Sequence, residues 1–317
     1  MNLMKYRWLN IGLLIFVIVA GITLLFVSPN NGWGAKPGPA LNLGIDFTGG
    51  TKIYFPVPRQ VSSDEVAAVL REIEIDNFKF NPPQPTSYID SNGKQQYQVL
   101  VYTSFLNDTE QEIVLKALEA KFGSVDKKGL DITRVNPLIG AELIQNAIRA
   151  LLIAGVLMLI YIWYRFELIS GIAAVLALIH DSLFVLGIFA LLGKEVNATL
   201  IAALLTVVGY SINDTIVIFD RIRENVKNKS RDLSFSEIVN LSILQSFRRS
   251  LNTSITTVLA ILLLFLAVPN ISEFCFAMIV GITVGTYSSI FMASPIWVVC
   301  KEWLDKRKLL RKEAVAK

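Results

Sequence analysis

The chain has 317 residues, of which 53% are hydrophobic and only 18% charged, with a mean hydropathy of +0.52, a balance that points to a membrane protein. Its net charge of +4 follows the loops between apolar segments, so it reads as a topology signal and not as a nucleic-acid footprint. Its two cysteines, Cys275 and Cys300, lie in or at the end of the last apolar segment, which excludes a disulfide framework elsewhere; the sequence offers no metal-ligand spacing, and both thiols read as packing residues.

About 20 apolar residues are needed to cross the hydrocarbon core. Six segments qualify: Leu9 to Val27, Ala147 to Tyr164, Leu168 to Leu192, Ala198 to Phe219, Leu251 to Val268 and Ile271 to Val299. The first follows a basic start, but it is longer than a signal-peptide core, and Val27-Ser28-Pro29 is a poor cleavage site, so it is expected to be a retained anchor. Lys5 and Arg7, Arg165, the Arg221 to Arg249 loop and the Lys301 to Lys317 tail all fall on one side if six helices alternate. The opposite short loops offer only Lys194, so the positive-inside rule puts both termini in the cytoplasm. The expected organisation is a first spanning helix over 1–27, an exported domain over 28–146, five further helices over 147–300 with a cytoplasmic loop at 220–249, and a basic tail at 301–317.

The exported block opens with a Pro/Gly-rich linker, Pro29 to Pro39. Next come a strand at Lys52 to Val57, a helix at Ser63 to Ile73 with Ser63 as N-cap, a short strand near Phe78 to Phe80 and a strand at Tyr97 to Tyr102. A helix at Asp108 to Phe122, stopped by Gly123, and a strand at Asp131 to Val135 complete a βαββαβ order. That is an α+β, ferredoxin-like pattern, which says nothing of function by itself. In Asp46-Phe47-Thr48-Gly49-Gly50 the paired glycines permit positive φ or close backbone approach, which suits a tight turn joining the first helix to the domain. A phosphate cradle is the sharper alternative, but no helix start or Lys-Ser/Thr pair follows the glycines.

Asp214 stands inside the fourth apolar segment. A carboxylate at that depth costs roughly 2.5 to 3.5 kcal/mol by insertion scales, so it is expected to face a partner helix or watery cavity and to carry a function. Ser211 and Thr215 share its helix face, and hydroxyls there can relay a proton or hold water. The fifth segment is preceded by Arg248 and Arg249 and opens with Asn252, Thr253, Thr256 and Thr257, a polar face that could sit against Asp214. Motion of Asp214 toward or away from Arg249 would switch its protonation. Arg248 is an alternative partner, and the plainer reading of Arg249 is a residue snorkelling to the headgroups. Asp214 lies six residues before Asp220, about 9 Å inside the cytoplasmic end at 1.5 Å per residue.

His180-Asp181, in the third segment, holds the only histidine of the chain. It reads either as a proton carrier toward the outer half or as a neutral pair that pins helix packing. Phe235 to Phe247 is an amphipathic stretch expected to lie on the cytoplasmic membrane face, and the tail from Lys301 reads as a stop-transfer and lipid-surface anchor.

Leu43-Gly44-Ile45-Asp46-Phe47-Thr48-Gly49-Gly50-Thr51, Ile179-His180-Asp181, Val208-Gly209-Tyr210-Ser211-Ile212-Asn213-Asp214-Thr215, Asp220-Arg221-Ile222-Arg223-Glu224-Asn225 and Arg249-Ser250-Leu251-Asn252-Thr253-Ser254 together resemble the SecF family of bacterial protein-export subunits. The resemblance runs in order over nearly the whole chain, within the resistance-nodulation-division superfamily. It implies an α-helical polytopic protein of the bacterial cytoplasmic membrane that is not an enzyme and needs no cofactor. The implied partners are SecD, the SecYEG translocon, YajC, membrane lipids and exported unfolded polypeptide, with no nucleic acid. The implied work is late-stage translocation and release of polypeptide, driven by the proton-motive force or a sodium gradient. The ion-coupling set is then Asp214, Arg249, Asp181, His180, Ser211, Thr215 and Asn213, and the structural hinge Asp46, Gly49 and Gly50. A small-molecule exporter of the same superfamily is the competing reading; it normally needs two fused six-helix halves, and this chain has one.

Overall fold

A computed structural model describes residues 3–26, 41–89, 95–123, 129–229, 233–268 and 271–315. The Pro29 to Pro39 linker and the Val27-Ser28-Pro29 site lie outside these residues. The chain forms two compact units, one of Met1–Asn42 with Arg149–Lys317, the other of Leu43–Ile148.

The second unit holds the four-stranded sheet. A two-residue strand, β1 (Asn42–Leu43), and a short helix, α2 (Ile45–Thr48), lead into β2 (Gly50–Val57), α3 (Ser63–Arg71), β3 (Gln84–Ile89), β4 (Gln95–Thr103), α4 (Asp108–Phe122) and β5 (Asp131–Val135). The sheet order is β3-β4-β2-β5, with every neighbouring pair antiparallel. Period-two alternation along β2 turns Ile53, Phe55 and Val57 to one face. There they meet Val99 and Val101 of β4, Val66 and Leu70 of α3, and Val114, Leu118 and Phe122 of α4 in one apolar cluster.

Local chemistry sets the helix ends. Asn107 accepts a hydrogen bond from the Glu110 N–H at 2.9 Å, and the Glu110 carboxylate accepts from the Asn107 N–H at 2.8 Å, a reciprocal capping box for α4. Asn107→Ala should cost about 1 kcal/mol. The check is amide exchange across 108–122, which should speed up relative to the rest of the sheet unit; unchanged exchange would show that the cap is redundant. In α3 the cap is Ser62, which accepts from the Glu65 N–H, and not Ser63, whose hydroxyl donates to the Pro83 carbonyl at 2.7 Å. That helix stops at Arg71, short of Ile73. The second strand of the pattern also shifts, from Phe78 to Phe80 to Gln84–Ile89; Phe80 makes only an isolated bridge to Thr103.

Among the described residues, six helices are long and apolar enough to cross a membrane. They comprise α1 (Arg7–Phe26), with a short 3₁₀ turn at Leu3–Tyr6 before it; α5 (Pro137–Arg165); α6 (Leu168–Leu191); α7 (Ala198–Lys229), after the two-residue strand β6 (Glu195–Val196); α8 (Phe235–Ala267); and α9 (Ser272–Ser288), continued through a π turn at Ser289–Ala293 into α10 (Ser294–Val315). Several outrun the apolar segments read from the sequence. α5 begins at Pro137, where proline fits the first helical position and Asn136 accepts from the Leu138 N–H at 2.9 Å. α7 runs past Asp220 to Lys229.

Residues 235–267 are one helix, so Phe235 to Phe247 is not a separate segment on the membrane face. Its Val239 and Ile243 are buried in the core cluster with Ile222 and Trp297. Asn225 of α7 donates to Ser242 of α8 at 2.9 Å, tying the two extensions together. Cys275 is buried and Cys300 half-buried, and both are free thiols.

Candidate functional site

Two buried carboxylates, Asp181 and Asp214, lie where α6, α7, α8 and α9 pack together, and Asp181 meets α7 at Ser211, one helical turn before Asp214. Asp181 of α6 is fully buried and its neighbour His180 is 2% exposed. His180 Nδ1 lies 3.0 Å from Asp181 Oδ1. Ser211 of α7 and Ser288 of α9 both donate to Asp181 Oδ2, at 2.6 and 2.8 Å. One side chain therefore ties three helices together.

Asp214 of α7, 6% exposed, accepts from Ser254 of α8 at 3.2 Å, and Ser254 in turn lies 2.6 Å from the Thr286 hydroxyl of α9. Thr215 donates to Ser289 at 2.9 Å, and Ser289 donates to the Ser211 carbonyl at 3.1 Å. Hydroxyls of α9 thus connect the surroundings of the two acids. Among the described residues Asp181 is held by three groups and Asp214 by one, so Asp214 has the freer carboxylate there.

The backbone of α9 is shaped for this meeting. A Cβ on Gly285 would come within 2.9 Å of Ser211 Cβ and 3.5 Å of Asp181 Oδ2, so only glycine lets α9 approach this closely. Directly beyond lies the π turn at Ser289–Ala293, a departure from regular helix that recurs at functional sites.

Asp214, Asp181, His180, Ser211 and Thr215 are thus brought together. Asn213 is not: it is exposed, because it lies one residue out of phase with the buried face of α7. Arg249 is exposed inside α8 rather than at a helix start, and no ion pair joins it to Asp214 among the described residues. Arg248 is exposed as well. Of the expected polar face, Asn252, Thr253 and Thr256 are exposed and Thr257 is half-buried; the residue facing Asp214 is Ser254.

Ser254, Thr286, Ser288 and Ser289 were therefore missed. A signal existed in Ser242, Ser246, Ser250 and Ser254, a stripe at four-residue spacing on α8 that is buried throughout. Depth also needs revision. The 9 Å placement of Asp214 took Asp220 as a helix end, whereas α7 continues for nine residues to Lys229, and Asp181 meets α7 only three residues from Asp214.

The hinge residues belong to the sheet unit. Gly49 has φ 71° and ψ 166°, a region open essentially only to glycine, and Gly50 has φ 134°. A Cβ on Gly49 would lie 2.5 Å from Pro137 Cα, and one on Gly140 would lie 2.6 Å from the Phe47 carbonyl oxygen. The Asp46 to Gly50 turn therefore grips the first turn of α5. The expected joint to α1 would run through residues outside those described.

Known proteins match the whole arrangement. The family described as protein export membrane protein SecD/SecF, C-terminal, matches residues 114–303, and the SecD/SecF GG motif matches 37–57. This chain belongs to the SecD/SecF family of protein export membrane proteins. A protein translocase subunit SecF from Acidaminococcus fermentans is 33% identical over 306 residues, covering 96% of this chain and 99% of the relative. One from Sebaldella termitidis is 36% identical over 258 residues, 80% of each chain. The crystal structure of SecDF from Thermus thermophilus, a translocon-associated membrane protein, superposes with a TM-score of 0.79 at 33% identity over 95% of this chain. This chain spans 39% of that SecDF polypeptide. Membership in the SecD/SecF family gives the chain a role in protein export, in a membrane.

Proposed function

We propose that this chain is the SecF-type subunit of the Sec export machinery in the bacterial cytoplasmic membrane, working with SecD to turn an ion gradient into late-stage translocation and release of polypeptide. The observation that carries the coupling is Asp214, a buried carboxylate with one hydrogen-bond donor at the contact of α7, α8 and α9. Gain or loss of its charge changes what those three helices must accommodate, which is the minimum needed to bias two packings.

Asp214 carries the proton, or a sodium ion in its place. Ser254, Thr286, Ser211 and Thr215 supply hydroxyls for relay, and Arg249 acts on Asp214 through its charge. His180-Asp181 forms the neighbouring polar station toward the outer half. The distribution of Lys and Arg supports cytoplasmic termini, and so an exported sheet unit. The βαββαβ order with strand order β3-β4-β2-β5 supports a ferredoxin-like fold for it. The chain itself needs no enzymatic step or cofactor for this work.

The T. thermophilus and Bacillus subtilis SecDF relatives, of which this chain spans 39% and 36%, support a partner of SecD type that completes the unit. SecYEG and YajC are the further partners we assign. Co-purification of the full chain from its native membranes tests the assembly: recovery of SecD is expected, whereas a lone homo-oligomer would contradict it.

A further inference from the structure

Where α5 ends and α6 begins, a pocket of about 240 Å³ is lined by Arg165, Glu167, Arg223, Phe235, Trp297 and Lys301 among others. Three cations line it, and two of them are paired with carboxylates. Lys301 is engaged by both Glu167 oxygens, at 3.1 and 3.2 Å, and sits 4.4 Å over the Phe235 ring centre. Arg165 pairs with Asp220 at 3.1 Å. Arg223 donates one bond, to the Arg165 carbonyl at 3.2 Å, which leaves most of its five N–H donors for an incoming acceptor.

A second, independent observation is Trp297. It is 3% exposed, yet its indole N–H has no acceptor among the described residues. A buried donor without an acceptor is costly and calls for an explanation, such as a bound group that supplies one. One cation without a carboxylate partner among the described residues, its largely uncommitted guanidinium and an unpaired indole donor together call for an anionic oxygen ligand. The neighbouring pocket beside Lys5, Arg7, Glu237 and Glu302 lacks this character. Its two cations meet two carboxylates, and Arg7 is already paired with Glu302 at 2.9 Å.

The surroundings favour a lipid over a free anion. Tyr164, which also lines the pocket, is 91% exposed, and Trp163 beside it is exposed too; such aromatics belong at a membrane interface. The preceding turns of α5 expose Val156, Leu157, Ile160 and Tyr161, apolar surface on which acyl chains can lie and for which inorganic phosphate has no use. We infer that this pocket holds the headgroup phosphate of an anionic phospholipid, with Arg223 and the Trp297 N–H as its donors and the outer face of α5 as the bed for its chains.

Native mass spectrometry of the detergent-solubilised full chain, titrated with phosphatidylglycerol, phosphatidylcholine or inorganic phosphate in parallel, tests this. Phosphatidylglycerol should bind at one tight site, at least fivefold better than phosphatidylcholine, since each basic residue near the surface is worth about fivefold. Arg223→Gln should lower that binding about fivefold. Trp297→Phe keeps an aromatic wall but removes the N–H, and should also lower it, while Lys5→Gln in the other pocket should not. Equal binding of both lipids, no loss in variants that elute as the unaltered protein does, or displacement of the lipid by inorganic phosphate would overturn the assignment.

Discussion

Replacing Asp214 by asparagine is expected to abolish the gradient-stimulated part of export while leaving membrane insertion and partner association intact. Asparagine keeps the shape and can still meet Ser254, 3.2 Å from the present carboxylate, so the α7–α8 contact survives. What it removes is the exchangeable charge. Export measured in membrane vesicles with and without an imposed gradient should become indifferent to the gradient, and persistence of stimulation would sink the coupling role. Arg249→Met should give the same phenotype. If the two act as a unit, the double variant should be no worse than either single one.

The second large effect is expected at the glycine turn. Gly49→Val and Gly50→Val force β-branched side chains into positive-φ conformations, each costing about 1 to 3 kcal/mol. At Gly49 the new Cβ would also meet Pro137 Cα at 2.5 Å. The first turn of α5 must then leave its seat against the Asp46 to Gly50 turn. The expected phenotype is slow release of exported protein, with normal insertion and normal association with SecD. Undiminished export from the double valine variant would show that the domain is not driven through this joint.

Much of this architecture is legible in the sequence because it rests on local rules. The six spans come from length and hydropathy, and the end of α4 from Gly123, whose φ of 96° is the stop signal. What was hidden depends on pairing at a distance. Strand β3, Gln-Pro-Thr-Ser-Tyr-Ile, has little strand character of its own and is defined by its register on β4. Arg248 and Arg249 look like a membrane boundary, yet charges do not interrupt backbone hydrogen bonding, so α8 passes straight through them.

The candidate site divides the same way. Asp214, Asp181 and His180 stand out because charge is rare in apolar helices. Ser254, Thr286, Ser288 and Ser289 do not, because a serine in such a helix can satisfy its hydroxyl on its own backbone. Only the packing of α8 and α9 against α7 turns them toward the two acids.

The central claim is that Asp214 binds and releases the coupling ion as the gradient is used. Infrared difference spectroscopy of the chain reconstituted with its SecD partner, recorded as a gradient is imposed and collapsed, reads the carboxyl stretch directly. The account predicts a carboxyl signal that follows the gradient, disappears in Asp214→Asn and remains in Asp181→Asn; a gradient-dependent signal that survives in Asp214→Asn would contradict it.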